Sequence, residues 1–233
     1  MKLFWPLIKI SYGITVYNEI DELRRLTKVL VPNISPKDEI IILSDEENVT
    51  DEVLAEINTL LDTYKNIKHI SFPLNKDFAT YKNHLIEYAK GDYLFQIDAD
   101  EIPNRALLKK LKFRLFLHYK YDCFFVPRVN YVEGITEEHI KSWDWTIDGK
   151  GRINYPDLQM RILKLGKGIE WKDKVHEKLV NWKKLKRLPY KENEDYCLYH
   201  IKQIEKQEKQ NELYDNIGAI CSSFFIINYI CLM

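Results

Sequence analysis

Gly91-Asp92-Tyr93-Leu94-Phe95-Gln96-Ile97-Asp98-Ala99-Asp100-Glu101 is the stretch whose reading decides the fold. Tyr93 to Ile97 has the length and character of a buried strand, and three acids, Asp98, Asp100 and Glu101, follow it at once. An unpaired charge is expensive to bury, so acids at the tip of such a strand need a partner. In an open α/β sheet the carboxyl ends of the strands are where ligands bind. Two carboxylates one residue apart at such an end suit a hard divalent cation, of the kind that bridges to the phosphates of a nucleotide. The competing reading is that the acids cap a helix starting near Pro103, since Asp serves well at helix starts.

Outward from this strand, the N-terminal side alternates apolar runs with amphipathic segments. Lys9 to Val16 and Glu39 to Leu43 read as strands, as does Ile67 to Phe72. Ile20, Leu23, Leu26, Val29 and Leu30 recur at a helical period between Glu19 and Leu30. Thr50 caps a second helix with Val53, Leu54, Ile57, Leu60 and Leu61 on one face, and Asp51 and Glu52 lie in its first turn, where the helix dipole favours acids. Asp77 to Ala89 reads as a third helix, ended by Gly91. Apolar strands without alternation, separated by helices, predict a mostly parallel sheet covered on both faces.

Beyond Glu101 the pattern loosens. Pro103 to His118 reads as a helix and Cys123 to Val132 as a strand. Residues 133–156, with Gly134, Gly149, Gly151, Trp143, Trp145 and Tyr155, read as a long irregular loop, and such loops tend to be functional. Leu158 to Leu165, Lys174 to Val180 and Tyr196 to Ile201 read as strands, and Gln203 to Asn216 as a charged helix. No repeat or low-complexity linker interrupts the chain. The reading is one domain over 1–216, with a nucleotide-binding half over about 1–102 and an acceptor and catalytic half over about 103–216.

The 233 residues balance 35 Lys and Arg against 35 Asp and Glu, which leaves no basic field to recruit nucleic acid. Lys crowds 164–187 and acids crowd 38–56, as solvated faces do. Cys123, Cys197, Cys221 and Cys231 form no CxxC pair, which points to a reducing, cytoplasmic compartment. No small-residue cleavage site follows Leu3 to Ile8, so no secretory signal is expected. Ile217 to Met233 carries no charge, at the lower limit of a membrane-spanning length. This tail fits a contact with a membrane surface or a second copy of the chain, or a buried terminal helix.

In the order and spacing of several blocks the chain resembles a family 2 glycosyltransferase of the GT-A fold. The blocks are Ile14-Thr15-Val16-Tyr17-Asn18-Glu19, Asp38 to Asp45 followed by Thr50-Asp51, Asp77-Phe78-Ala79 with Lys82-Asn83, and Asp98-Ala99-Asp100-Glu101. Further on come Tyr155 to Leu163, Val175-His176-Glu177 and Leu198-Tyr199-His200. The nearest branch by this resemblance is that of lipopolysaccharide-core β-glucosyltransferases and peptide S-glycosyltransferases. The chain departs at Ser44-Asp45-Glu46-Glu47-Asn48, where the family has Asp-Asp-Gly-Ser, and at Lys82-Asn83, where it has Arg-Asn. Lys neutralises phosphate without the forked geometry of Arg.

The resemblance implies a metal-dependent inverting transferase that moves a sugar from a UDP-sugar to a glycan, a lipid-linked or a protein acceptor. Thr15, Tyr17, Asn18 and Asp45 would line the nucleoside pocket, and Lys82 would face the phosphates. A Mn2+ or Mg2+ ion would sit on Asp100, with Asp98 on the ribose or a metal-bound water and His200 as a further protein ligand. The catalytic base is expected to be Glu177 or, second, Asp157, with His176 orienting the base or the donor phosphate. Trp143, Trp145 and Trp171 suit either an acceptor sugar or the core, and Arg161 and Lys174 either phosphate or solvent. Two alternatives have other consequences: a non-catalytic nucleotide-sugar-binding or scaffold protein of the same fold, and a sugar nucleotidyltransferase. The second normally opens on a Gly-rich phosphate loop, whereas here Gly13 stands alone. The net expectation is a cytoplasmic enzyme, peripheral at a membrane if the tail anchors it.

Overall fold

The computed structural model describes residues 7–174 and 177–216. The chain runs β1 (Ile10–Val16), α1 (Ile20–Leu30), β2 (Glu39–Asp45), α2 (Asp51–Thr63), β3 (Ile67–Phe72), α3 (Phe78–Tyr88) and β4 (Tyr93–Asp98). It continues through β5 (Glu101–Pro103), α4 (Arg105–Leu117), β6 (Cys123–Glu133), α5 (Glu137–Ser142) and β7 (Ile153–Lys164). The last elements are β8 (Glu170–Lys172), β9 (Lys178–Val180), β10 (Leu185–Arg187), β11 (Leu198–Gln203) and α6 (Ile204–Asn216). Nine strands form one sheet in the order β3-β2-β1-β4-β7-β6-β11-β5, with β10 also on β6, and β8 and β9 pair as a separate hairpin. β3, β2, β1 and β4 are parallel, β7 runs antiparallel to both β4 and β6, and β11 is parallel to β6.

The unbroken apolar runs are explained by two cores. Along β2, Ile40 and Ile42 face one side with Leu23, Leu26, Val53, Ile57, Leu107 and Leu111. Ile41 and Leu43 face the other side with Tyr81, Leu85, Trp171 and Leu179. Each fully buried aliphatic side chain contributes ~1.5–3 kcal/mol of burial. Asp38, at the foot of β2, fastens one of these layers: its carboxylate accepts from the Ile10 amide at 2.9 Å, the Ser35 amide at 3.0 Å and Lys112 Nζ at 2.7 Å. α4 is thereby tied to the start of the sheet by a buried, fully partnered acid.

Thr50 and Asp77 cap α2 and α3 as their positions predict, accepting from the amides of Val53 and Thr80. Four expectations are corrected. Gly91 does not end α3, which stops at Tyr88 with Ala89 already extended. The glycine is required by space, since a Cβ there would lie 2.8 Å from the Ser11 amide nitrogen and 2.9 Å from the Lys9 carbonyl oxygen. The acids after β4 do not cap α4; Asn104 does, accepting from the Ala106 amide at 2.8 Å. Residues 133–156 are not wholly irregular, because Thr136 and His139 form a reciprocal capping box that starts α5, and β7 already begins at Ile153. The strand expected over Lys174 to Val180 is shorter: β9 occupies only Lys178–Val180, paired with β8.

Candidate active site

Parallel β1 and β4 place Thr15 opposite Asp98 at the carboxyl end of the sheet. Thr15 Oγ1 donates to Asp98 Oδ1 at 2.9 Å. β7 supplies the second partner. Its ladder with β4 ends at Phe95–Ile162, and against β6 it carries one extra residue, Arg161, where Phe124 pairs Ile162 but Phe125 pairs Met160. A β-bulge re-aims a side chain, and here Arg161 Nη2 reaches both Asp98 Oδ2 and Glu101 Oε1 at 2.5 Å. Arg161 Nε is buried without a partner among the described residues.

From α3, buried Lys82 points to the same corner. Its Nζ lies 2.5 Å from Glu177 Oε1, 4.0 Å from Asp98 Oδ1 and 5.2 Å from the centre of the Trp171 ring. Trp171 is held in the core by its Nε1 donating to Gln96 Oε1 at 2.6 Å, while Gln96 donates back to the Lys82 carbonyl. Burial raises the Asp98 carboxyl pKa, but Arg161, then Lys82, and the bonds from Thr15 and Arg161 outweigh it and hold the group far below the ordinary carboxylate range.

The second acid has a different surrounding. Asp100 Oδ2 lies 3.1 Å from His200 Nε2 and 3.7 Å from Lys202 Nζ, both on β11. Burial pushes the Asp100 carboxyl up, and His200 and Lys202 pull it well below normal. Burial and Arg128 lower the imidazole of His200, against the pull of Asp100. His200 Nδ1 lies 2.9 Å from Asn130 Oδ1, and Asn130 Nδ2 donates to Asp157 Oδ2 at 2.9 Å. Asp157 is buried, accepts from Arg128 and from Gln159, and is held below its normal pKa chiefly by the Arg128 charge, against burial. Arg128 also reaches Glu101 at 3.0 Å. Asp98 and Asp100 are thus the ends of one linked series: Asp98, Arg161, Glu101, Arg128, Asp157, Asn130, His200, Asp100.

The structure therefore gathers Thr15, Lys82, Asp98 and Glu177 at one corner and Asp100 and His200 at the next, with Asp157 beneath them. Tyr17 and Asn18 lie exposed in the loop after β1, where both amides donate to Glu19 Oε2. Asp45 is buried and accepts from the Leu74 and Glu47 amides and from Asn48 Nδ2, so it organises its own loop. His176 lies outside the described residues, as does the tail 217–233. Trp143 and Trp145 pack on each other at 4.8 Å, with His139 stacked on Trp143. Arg161 is neither solvated nor facing open space, and Lys174 is exposed. Arg128, Asn130 and Gln96 were given no role in the sequence reading, and Glu101 was read only as one of three acids at the strand tip. Asp157 and Gln159 alternate along β7, a sign in the sequence of a polar layer on one face, and Arg161 joins them at the bulge.

Among the described residues no three His, Cys, Asp or Glu side chains gather as a metal site. The chain offers a pair, a carboxylate and an imidazole, and these donors fit Mn2+ or Mg2+ when substrate phosphates complete the shell. No described helix is long and apolar enough to cross a membrane.

The family model described as Glycosyl transferase family 2 matches residues 11–229. The chain is 32% identical over 108 residues to a poly(ribitol-phosphate) beta-glucosyltransferase of Bacillus spizizenii, covering 46% of this chain and 17% of that protein. It is 26% identical over 178 residues to the SPbeta prophage-derived glycosyltransferase SunS of Bacillus subtilis, covering 74% of this chain and 35% of that protein. The crystal structure of S. aureus TarS 1-349 in complex with UDP-GlcNAc matches with a TM-score of 0.59 at 15% identity, over 84% of this chain and 59% of that one. At that identity the likeness is one of fold. The chain spans well under half the length of these two curated relatives.

Proposed function

Since the chain belongs to glycosyl transferase family 2 and has the GT-A fold, we propose that it transfers a sugar from a UDP-sugar to an acceptor hydroxyl with inversion, using a divalent cation. The observation that carries this reading is the convergence of Thr15, Lys82, Asp98, Asp100, Glu177 and His200 on the carboxyl ends of β1 and β4 and the strands beside them. The donor is inferred from TarS, whose complexes hold UDP-GlcNAc and UDP. The acceptor is a glycan, a lipid-linked sugar or a protein side chain; the two curated relatives named above are glycosyltransferases with different names and do not narrow it.

Glu177 is the base. It takes the proton of the acceptor hydroxyl as that oxygen bonds to the anomeric carbon, on the face opposite the diphosphate. The bond from the anomeric carbon to the diphosphate oxygen breaks, and the electron pair leaves with UDP. Asp100 and His200 would hold a divalent cation, which when bound would supply positive charge to that leaving group. Lys82 supplies another, and its contact with Glu177 is given up or shared as the phosphates arrive. Asp98, locked by Thr15 and Arg161, positions the ribose end of the donor. A thermal-shift series tests the reading: UDP-sugars should raise the melting temperature by mass action, and only with Mn2+ or Mg2+ present. No metal-dependent shift with any UDP-sugar would count against it. One observation favours a non-catalytic binder instead: Asp98 and Glu177 are both paired with internal cations. Metal-dependent release of UDP from a bound donor distinguishes the two.

A further inference from the structure

Asp157 is fixed as an acceptor. Its carboxylate accepts from Arg128 Nε at 2.7 Å, and Arg128 Nη2 lies 2.6 Å from it. A group that can only accept must meet the amino end of the Asn130 amide, at 2.9 Å. The Asn130 oxygen is then the end that faces His200 Nδ1, also at 2.9 Å. An amide oxygen can only accept, so Nδ1 carries the hydrogen. In a neutral ring Nε2 then has none, and its lone pair points at Asp100 Oδ2, 3.1 Å away. Two acceptors at that separation repel; the Lys202 ammonium, 3.7 Å from Asp100 Oδ2, offsets part of this, and a cation beside both lone pairs would turn it into attraction. The opposite arrangement, with Nε2–H donating to Asp100, forces the Asn130 oxygen against the ionised Asp157.

Building on the reading of Asp100 and His200 as cation ligands, we propose that Asn130 is a positioning residue that holds His200 as its Nδ1–H tautomer and so presents the bare Nε2 to a divalent cation beside Asp100. The order of hydrogen bonds from Arg128 through Asp157 and Asn130 sets the direction of every donor in the series. Ligating imidazoles are generally fixed in this way by the partner of their other nitrogen.

The test has two arms. Long-range 1H–15N spectra of histidine-labelled, metal-free protein at mildly alkaline pH report which ring nitrogen of His200 is protonated, with His200→Gln assigning the signals. The expected result is an Nδ1–H ring in the native protein and a mixed or Nε2–H ring in Asn130→Leu. An Nε2–H ring in the native protein overturns the proposal, and this arm is decisive even if Asn130→Leu does not fold. In the second arm Mn2+ affinity is measured by electron paramagnetic resonance in the presence of UDP. Asn130→Leu should lose ~10–100-fold, the usual effect of removing such a partner. Unchanged affinity in Asn130→Leu, with affinity lost in His200→Gln, also overturns it. Absence of Mn2+ binding in the native protein sinks the cation reading instead, while the spectrum still decides the tautomer.

Discussion

The two corners of the site, adjacent along the chain, are neutralised by opposite means. Where β1, β4 and β7 meet, Asp98 is held by the guanidinium of Arg161 at 2.5 Å, with the Lys82 ammonium 4.0 Å away. Where β5, β6 and β11 meet, Asp100 has an imidazole at 3.1 Å in the place of the guanidinium, with an ammonium at 3.7 Å. A carboxylate whose Oδ2 is taken by a buried arginine and whose Oδ1 is taken by a threonine hydroxyl is fixed in orientation. One facing a neutral ring keeps lone pairs for a ligand. The two aspartates of one short motif are therefore held by unlike partners, and on the proposed function Asp100 is the one that would take the cation.

The most severe way to break this contrast is to remove the acid beneath both corners. Glu101 is fully buried between Arg128 and Arg161. Glu101→Ala leaves two buried guanidinium groups with one carboxylate partner each and should cost ~3–5 kcal/mol, read by urea denaturation. Next, Asp100→Asn should abolish the metal-dependent stabilisation by donor, about 2.7 kcal/mol at a hundredfold excess over Kd, with the fold intact by circular dichroism. Asp98→Asn should do the reverse, keeping the metal dependence of the melting shift while losing ~1–3 kcal/mol of stability through the under-paired Arg161. If both substitutions gave the same pattern, the division between the corners would be wrong. Lys82→Met should raise the donor Kd about tenfold, or ~1.4 kcal/mol by calorimetry. The smallest effect at neutral pH lies in the acid limb. Both aspartates have depressed folded pKa values, so their stabilisation is complete above the unfolded value of about 3.9 and fades as pH falls below it. Asp98→Asn or Asp100→Asn should flatten that limb in a pH series of denaturation midpoints.

Much of the N-terminal half was legible because its physics is local. Ile40-Ile41-Ile42-Leu43 can be buried on both faces only inside a covered sheet, and Thr50 and Asp77 mark helix starts by their own side chains. Asp98 and Asp100 were legible as a candidate site because acids at a strand tip need an explanation. What holds them was not. Arg161 looks like a surface residue until a bulge turns it inward, and its partner Glu101 lies sixty positions away. α5 was hidden because it is one short turn and a half, begun by a histidine in the place where a capping box usually has Glu or Gln. The role of Asp45 within its own loop depends on the Leu74 amide, a contact no spacing in the sequence announces.

The reversed strand β7 has a consequence for how the molecule is made. It fills the space between β4 and β6, so the inner edge of β4 has no partner until residues 153–164 have been synthesised. At ~5–20 residues per second a ribosome takes several seconds to deliver them. During that interval Tyr93, Leu94 and Phe95 border an open edge able to recruit a neighbouring nascent chain. The late arrival of one antiparallel segment thus both brings Arg161 to the acidic corner and closes the open edge of β4.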